Sequence, residues 1–392
     1  MASGSIDDAL AWLAAERSAM EDLLRVLVER NSFTGNAAGV TWVVGALDAA
    51  LRRLDESGGS SSTSGPLSCE WIESPRFGPH LFFRNAVPGA PVFLVGHADT
   101  VFPPGTFEGF RREGDRATGP GAFDMKGGLV VVRFALAAAA RAGLLERVPV
   151  AGLIVSDEEV GSPESQPLLG ERARGASCAL VFESGRPGDL VVTRRKGVAS
   201  LRAEAHGIAA HAGNEPEKGK SAIWSLARFV DRAQALSDPA RGTSVNVGTI
   251  RGGTSKNTVP EHAECEVDLR FESVAARDAL EAALEAAARD AALPGTRIAL
   301  SRGARRAPLE RSVASAALAA EYGACQRECG LGAGEAPLAG GGSDACTTAA
   351  AGVPSIDGLG PRGAGYHTSR EEVDLGSLVP KAQALLRFLA RR

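Results

Sequence analysis

Three of the six histidines in this 392-residue chain stand in company that suits metal chemistry. In Gly96-His97-Ala98-Asp99-Thr100-Val101, the His-x-Asp spacing lets an imidazole bind a cation while the carboxylate accepts its other N–H. A capped turn would account for that spacing alone nearly as well. Gly119-Pro-Gly-Ala-Phe-Asp124-Met-Lys-Gly-Gly128 crowds glycines around one carboxylate. It is neither a dinucleotide fingerprint nor a phosphate loop. Either the backbone is held tightly about Asp124, or this is an ordinary glycine-rich loop. In Val155-Ser-Asp157-Glu158-Glu159-Val160, three consecutive acids repel one another unless water or cations relieve them. Val181-Phe-Glu183 adds a carboxylate, and Gly365-Tyr-His367 follows a second glycine-rich stretch, Gly340-Gly-Gly-Ser-Asp344.

Taken together, His97, Asp124, Glu159, Glu183 and His367 are candidate ligands, with Glu158 left over. Imidazole plus carboxylate at an open site suits zinc, with cobalt or manganese as alternatives. Five protein ligands fill two ions best if one carboxylate bridges. Two dications against three carboxylate ligands leave a net positive site, the setting in which water becomes a nucleophile near neutral pH.

The ordered series His-x-Asp-Thr-Val, Gly-Pro-Gly-x-x-Asp-x-Lys-Gly-Gly, Asp-Glu-Glu-x-Gly-Ser, Phe-Glu, His-Ala-Gly, Gly-Gly-Gly-Ser-Asp-Ala and Gly-Tyr-His resembles the zinc exopeptidase family. That family contains glutamate carboxypeptidase, acetylornithine deacetylase, succinyl-diaminopimelate desuccinylase and aminoacylase. The resemblance runs from about residue 6 to 391. It implies that His97, Glu183 and bridging Asp124 hold one zinc, and that Asp124, Glu159 and His367 hold the other. It implies Glu158 as general base, Asp99 as the orienter of His97, and a cis peptide at Asp124–Met125. It also implies that His211, in Ala210-His-Ala-Gly213, reaches the partner subunit's active site of a homodimer and steadies the oxyanion. Asn257 and Arg306 correspond to residues that bind the substrate's carboxylate and neighbouring groups. Relatives often read Arg-Pro-Pro where this chain has Arg306-Ala307-Pro308, so Arg305 and Arg302 stand as alternatives. Glu183, rather than Asp, leans toward the glutamate carboxypeptidase branch.

The elements that must position these residues are legible as patterns. Apolar residues at helical spacing from Ile6 to Leu27 predict one helix over about 6–30, opened by Ser5 and Asp8. A second helix is expected over about 38–54, and Gly58–Gly65 reads as a mobile Ser/Gly loop. Pro91–Gly96, Val148–Val155 and Cys178–Phe182 are continuous apolar runs of the buried parallel-strand kind. Alternating with helices, they predict an α/β sheet covered by helices on both faces. From about 198 to 302 the order becomes β-α-β-β-α-β, the ferredoxin-like unit. We therefore expect a catalytic domain of mixed sheet between helices, formed by 1–197 and 303–392. A lid and dimerisation domain, 198–302, is inserted in it.

Composition narrows the class. The chain is 44% hydrophobic and 23% charged, with a net charge of −4 and 5% aromatics. It lacks the basic footprint of a nucleic-acid binder, and no apolar run reaches the ~20 residues of a membrane span. The scattered cysteines predict reduced thiols in a cytoplasmic protein. His80, His206 and His262 read as strand or surface residues.

The expected activity is a dizinc amidohydrolase that removes a C-terminal amino acid from a small peptide or N-acyl amino acid. A deacetylase of the acetylornithine type would share the metal chemistry and differ in its pocket. A non-catalytic relative binding amino-acid conjugates is the remaining alternative, and the presence of every expected ligand and of Glu158 speaks against it.

Overall fold

A computed structural model describes residues 5–54 and 65–392, so most of the expected Gly58–Gly65 loop lies outside the described residues. The chain divides into two compact units. The first comprises residues up to Thr193 with Arg311–Leu338 and Ser343–Arg392; the second comprises Arg194–Glu310 with Ala339–Gly342.

The first unit is built on a six-stranded mixed sheet. Its order is Ser68–Ile72, His80–Arg84, Val150–Val155, Val92–His97, Cys178–Val181 and Ser355–Ile356. The first two strands form an antiparallel pair, which joins antiparallel to Val150–Val155; the remaining neighbours are parallel. Every residue of Val92–His97, Val150–Val155 and Cys178–Val181 is buried, as their unbroken apolar character requires. Helix Gly127–Arg141 is buried at all positions except Arg133, Ala140 and Arg141. It packs with Ile6–Ala15 and Leu378–Leu389 in one apolar core with the sheet.

The expected 6–30 helix is two helices, Ile6–Ala15 and Arg17–Val28. The interruption at Glu16 has φ −87° and ψ 9°, yet the Glu16 carbonyl still accepts from the Met20 amide. The apolar stripe therefore runs on through Leu13, Met20 and Leu24, all fully buried. The Ser5–Asp8 capping box forms as expected, with both backbone-to-side-chain bonds at 3.1 Å.

A second, four-stranded sheet in this unit matters for the site. Its order is Gly363–Ala364, Glu372–Asp374, Arg116–Thr118 and Arg111–Glu113. It ties the loop carrying His367 to the strand that leads into the Asp124 segment.

The second unit is a four-stranded antiparallel sheet in the order Ser244–Gly252, His262–Phe271, Gly197–His206 and Arg297–Arg306. Helices Ala222–Gln234 and Val274–Ala291 pack on it. Ala199, Leu201, Ala203 and Ala205 alternate inward as one core face of the sheet. Chain order and strand order together make it ferredoxin-like.

Candidate metal centre

Three parallel strands end on one edge of the six-stranded sheet, and the ends of such strands are where ligands gather in α/β folds. His97 is the last residue of its strand. Glu158 and Glu159 lie in the short Glu158–Val160 turn after Val150–Val155. Glu183 lies two residues after Cys178–Val181. Gly96 and Gly128 allow this convergence. A Cβ on Gly96 would lie 2.7 Å from the Met125 methyl, and one on Gly128 would lie 2.0 Å from the Phe182 carbonyl oxygen. Met125 accordingly lies against the strand, its sulfur 3.2 Å from the His97 amide nitrogen.

The candidate ligands fall into two groups that meet at Asp124. Asp124 Oδ1 is 3.6 Å from His97 Nε2, which is itself 3.8 Å from Glu183 Oε2. Asp124 Oδ2 is 3.3 Å from His367 Nε2, which is 3.0 Å from Glu159 Oε2. Two atoms bound tetrahedrally to one zinc at about 2.0–2.1 Å stand about 3.3 Å apart, so these separations fit shared ions. Ligand atoms of His97, Glu158 and Glu183 also lie within 4.8 Å of one another. Asp124 Oδ1 is buried and has no hydrogen-bond partner. An orphaned carboxylate oxygen facing an imidazole and a second carboxylate is what a cation would satisfy. The residues fit a divalent metal pair.

Charge within the cluster points the same way. Burial disfavours a charged His97, but Glu183, Asp124 and Asp99 outweigh it and hold the imidazole well above its ordinary value. Burial and the nearby Asp124 carboxylate push Glu183 well above the usual range. Burial pushes Glu159 up to about 7. Asp124 and Glu159 hold His367 up to about 10. Burial would raise Asp124 as well, but His367 and His97 keep it well below the usual range. Protons on imidazoles and carboxyls here stand in for positive charge.

Asp99, fully buried, organises this edge. His97 Nδ1 is 3.0 Å from the Asp99 carbonyl oxygen and 3.4 Å from Oδ1, which leaves Nε2 facing the cluster. The Asp99 carboxylate also accepts from the Glu158 and Glu159 amides, each at 3.2 Å, and from the Thr34 hydroxyl at 2.7 Å. One residue thus fixes the imidazole through its carbonyl and the Glu158–Glu159 turn through its carboxylate. The Asp124–Met125 peptide is cis, and His367 has a left-handed φ of 62°.

Two buried residues lacked a role in the sequence. Lys126 donates to the Arg30 carbonyl at 3.1 Å and the Pro120 carbonyl at 3.3 Å, and burial pulls it down to about 7. Glu371 Oε1 accepts the amides of Phe123 and Asp124 at 2.9 and 3.0 Å. The only local signal for Glu371 was an acid four residues after His367.

The other predicted site residues lie in the second unit. His211 is on the short strand Ala210–His211, paired with Thr258–Val259. Its Nδ1 accepts from the Gly213 and Asn214 amides at 3.2 and 3.0 Å, so the neutral ring presents Nε2–H as a donor. Asn257 shares this hairpin, its carbonyl accepting the Ala212 amide at 2.9 Å. Arg306 is buried rather than a surface arginine, its stem packed where Gly342 has no side chain. Arg302 and Arg305, its alternatives, are engaged by Glu281, Arg302 Nε at 3.2 Å. His80 is buried, and its Nδ1 accepts the Ser156 amide at 3.2 Å. His206 and His262 pair across adjacent strands.

Residues 193–296 match the peptidase dimerisation domain family. Over 369 residues the chain is 30% identical to carboxypeptidase G2 of Pseudomonas sp. (strain RS-16), covering 93% of this chain and 86% of that protein. It is 30% identical over 239 residues to succinyl-diaminopimelate desuccinylase of Paracoccus denitrificans, covering 54% and 60% respectively. A dinuclear metal-binding peptidase of the M20 family from Bacillus subtilis shares the fold, with a TM-score of 0.71, 14% identity, and 96% and 98% coverage. The chain belongs to the M20 family of metallopeptidases. It is a metal-dependent hydrolase of the carboxypeptidase or deacylase kind. Among the described residues, no helix is long and apolar enough to cross a membrane.

Proposed function

We propose that this protein is a dizinc amidohydrolase that releases the C-terminal amino acid of a small peptide or N-acyl amino acid. The observation that carries this reading is Asp124, whose two carboxylate oxygens address two separate His-plus-carboxylate groups. Bound divalent ions, zinc with cobalt or manganese as substitutes, supply a lowered water pKa and a polarised scissile carbonyl. His97 and Glu183 on one side, Glu159 and His367 on the other, and Asp124 between them are the residues that hold them. Glu158 shares the edge with these ligands but is assigned to none of the ions. It takes the proton of the attacking water and returns it to the leaving amine. Asp99 keeps His97 in the tautomer that leaves Nε2 free.

The 198–302 segment is the lid and the homodimer contact in this reading, and the family match at 193–296 supports the dimer contact. His211, with Nε2–H as its donor, steadies the oxyanion in the partner's site. Asn257 and Arg306 hold the substrate's free carboxylate and its neighbours; a guanidinium fork suits a carboxylate at two points. The scattered cysteines, with no CxxC pair, suit reduced thiols in a cytoplasmic setting.

A panel of N-acyl amino acids and dipeptides, each as free acid and as amide, tests the substrate class. The free acids should turn over and the amides should be poor. Arg306→Ala should lower kcat/KM on the free acids by the equivalent of ~2–4 kcal/mol, with a much smaller effect on the amides. Equal losses on both would remove Arg306 from carboxylate recognition. Preferential turnover of acylated amines without a C-terminal carboxylate would instead make the enzyme a deacylase.

A further inference from the structure

Glu371 is fully buried and lies outside the ligand set. It belongs to the loop between strands Gly363–Ala364 and Glu372–Asp374, the same loop that carries His367. Its side chain leaves that loop and accepts the amides of Phe123 and Asp124 through a single oxygen, at 2.9 and 3.0 Å. Its own backbone is held on both sides. The Glu371 amide donates to the Thr368 carbonyl at 3.0 Å, and the Glu371 carbonyl accepts from Gly119 at 3.4 Å. Two loops, 247 residues apart at this contact, are therefore joined by one carboxyl group. Those loops bring His367 and Asp124 to 3.3 Å.

We propose that Glu371 is a positioning residue. By holding the Phe123–Asp124 amides to the His367 loop, it sets the orientation in which the Asp124 carboxylate spans the two ligand groups. The inference rests on the two-metal reading above. The backbone amides require an acceptor at the reach of a glutamate or glutamine side chain, not a charge. Shortening that reach frees the Asp124 segment, and the ligand most affected is the one both ions share. Residues that orient ligands from behind typically contribute about 10- to 100-fold to metal affinity.

The test uses full-length wild type, Glu371→Gln, Glu371→Asp and Glu371→Ala, each stripped with chelator. Zinc binding is read by calorimetry, and the ligand field by the visible absorption of the cobalt-loaded proteins. Glu371→Gln should keep near-wild-type affinity and spectrum. Glu371→Ala and Glu371→Asp should bind metal ~10- to 100-fold more weakly, with an altered cobalt spectrum. If Glu371→Ala does not fold, Glu371→Asp carries the same comparison. Glu371→Asp and any folded Glu371→Ala matching wild type in affinity and spectrum would overturn the role. So would a Glu371→Gln variant as impaired as the shortened ones. A wild type that takes up no metal would overturn the metal centre itself and this role with it.

Discussion

Asp124 and Glu158 divide the work of the candidate centre. Asp124 is buried between two imidazoles and cannot exchange partners without disturbing both groups. Glu158 is only partly buried, on a turn fixed by the Asp99 carboxylate through the Glu158 amide. That arrangement holds the backbone of the residue proposed as general base. Glu158→Gln keeps shape and hydrogen bonding but cannot accept the proton. It should therefore retain wild-type metal content, measured by elemental analysis. Its kcat should fall by about 10²–10⁴. Near-normal turnover would move the base elsewhere. The candidate ligands were visible as residue types because each lies at a recognisable strand end or glycine cluster. Glu371, Lys126 and Thr34 were not, because each meets a partner remote in sequence. Thr34 meets Asp99 across 65 positions, and no local periodicity encodes such a pairing.

At the scale of elements, parallel strands converging on one edge do what no single motif does. Their buried, unbroken apolar runs were readable, and so was the change of pattern that marks the ferredoxin-like sheet. The break at Glu16 was not, since no glycine or proline announces it and the apolar stripe passes straight through. The helix that starts at Gly127 approaches the backbone just after strand Cys178–Val181 closely at Gly128. A Cβ there would meet a backbone carbonyl rather than a flexible side chain. Gly128→Ala should therefore cost ~1–3 kcal/mol as overpacking. It should also shift Phe182 and, next to it, the candidate ligand Glu183. Thermal unfolding should show a lowered Tm with weakened zinc binding. An unchanged Tm and affinity would mean that this junction is looser than the packing implies.

At the scale of the whole molecule, the candidate metal ligands belong to the first unit and His211, Asn257 and Arg306 to the second. If His211 acts in trans as proposed, the dimer is the working enzyme. Mixing His211→Ala subunits with Glu158→Gln subunits should rebuild one active site per mixed dimer, read as recovered turnover. Mixed dimers that form and recover nothing would place His211 outside the chemistry.

In the two-metal reading, the first unit holds two divalent ions on one shared carboxylate. Zinc titrated calorimetrically into chelator-stripped protein tests it most directly. Without metal, His367 keeps its proton up to about 10 and Glu159 titrates at about 7. Zinc must displace those protons, so binding strengthens as pH rises and weakens as it falls, by about tenfold per pH unit for each proton displaced. Saturation at two ions per chain, net proton release at pH 8 and weaker binding at pH 6 are expected. Saturation at a single ion, or no uptake at either pH, would contradict that reading.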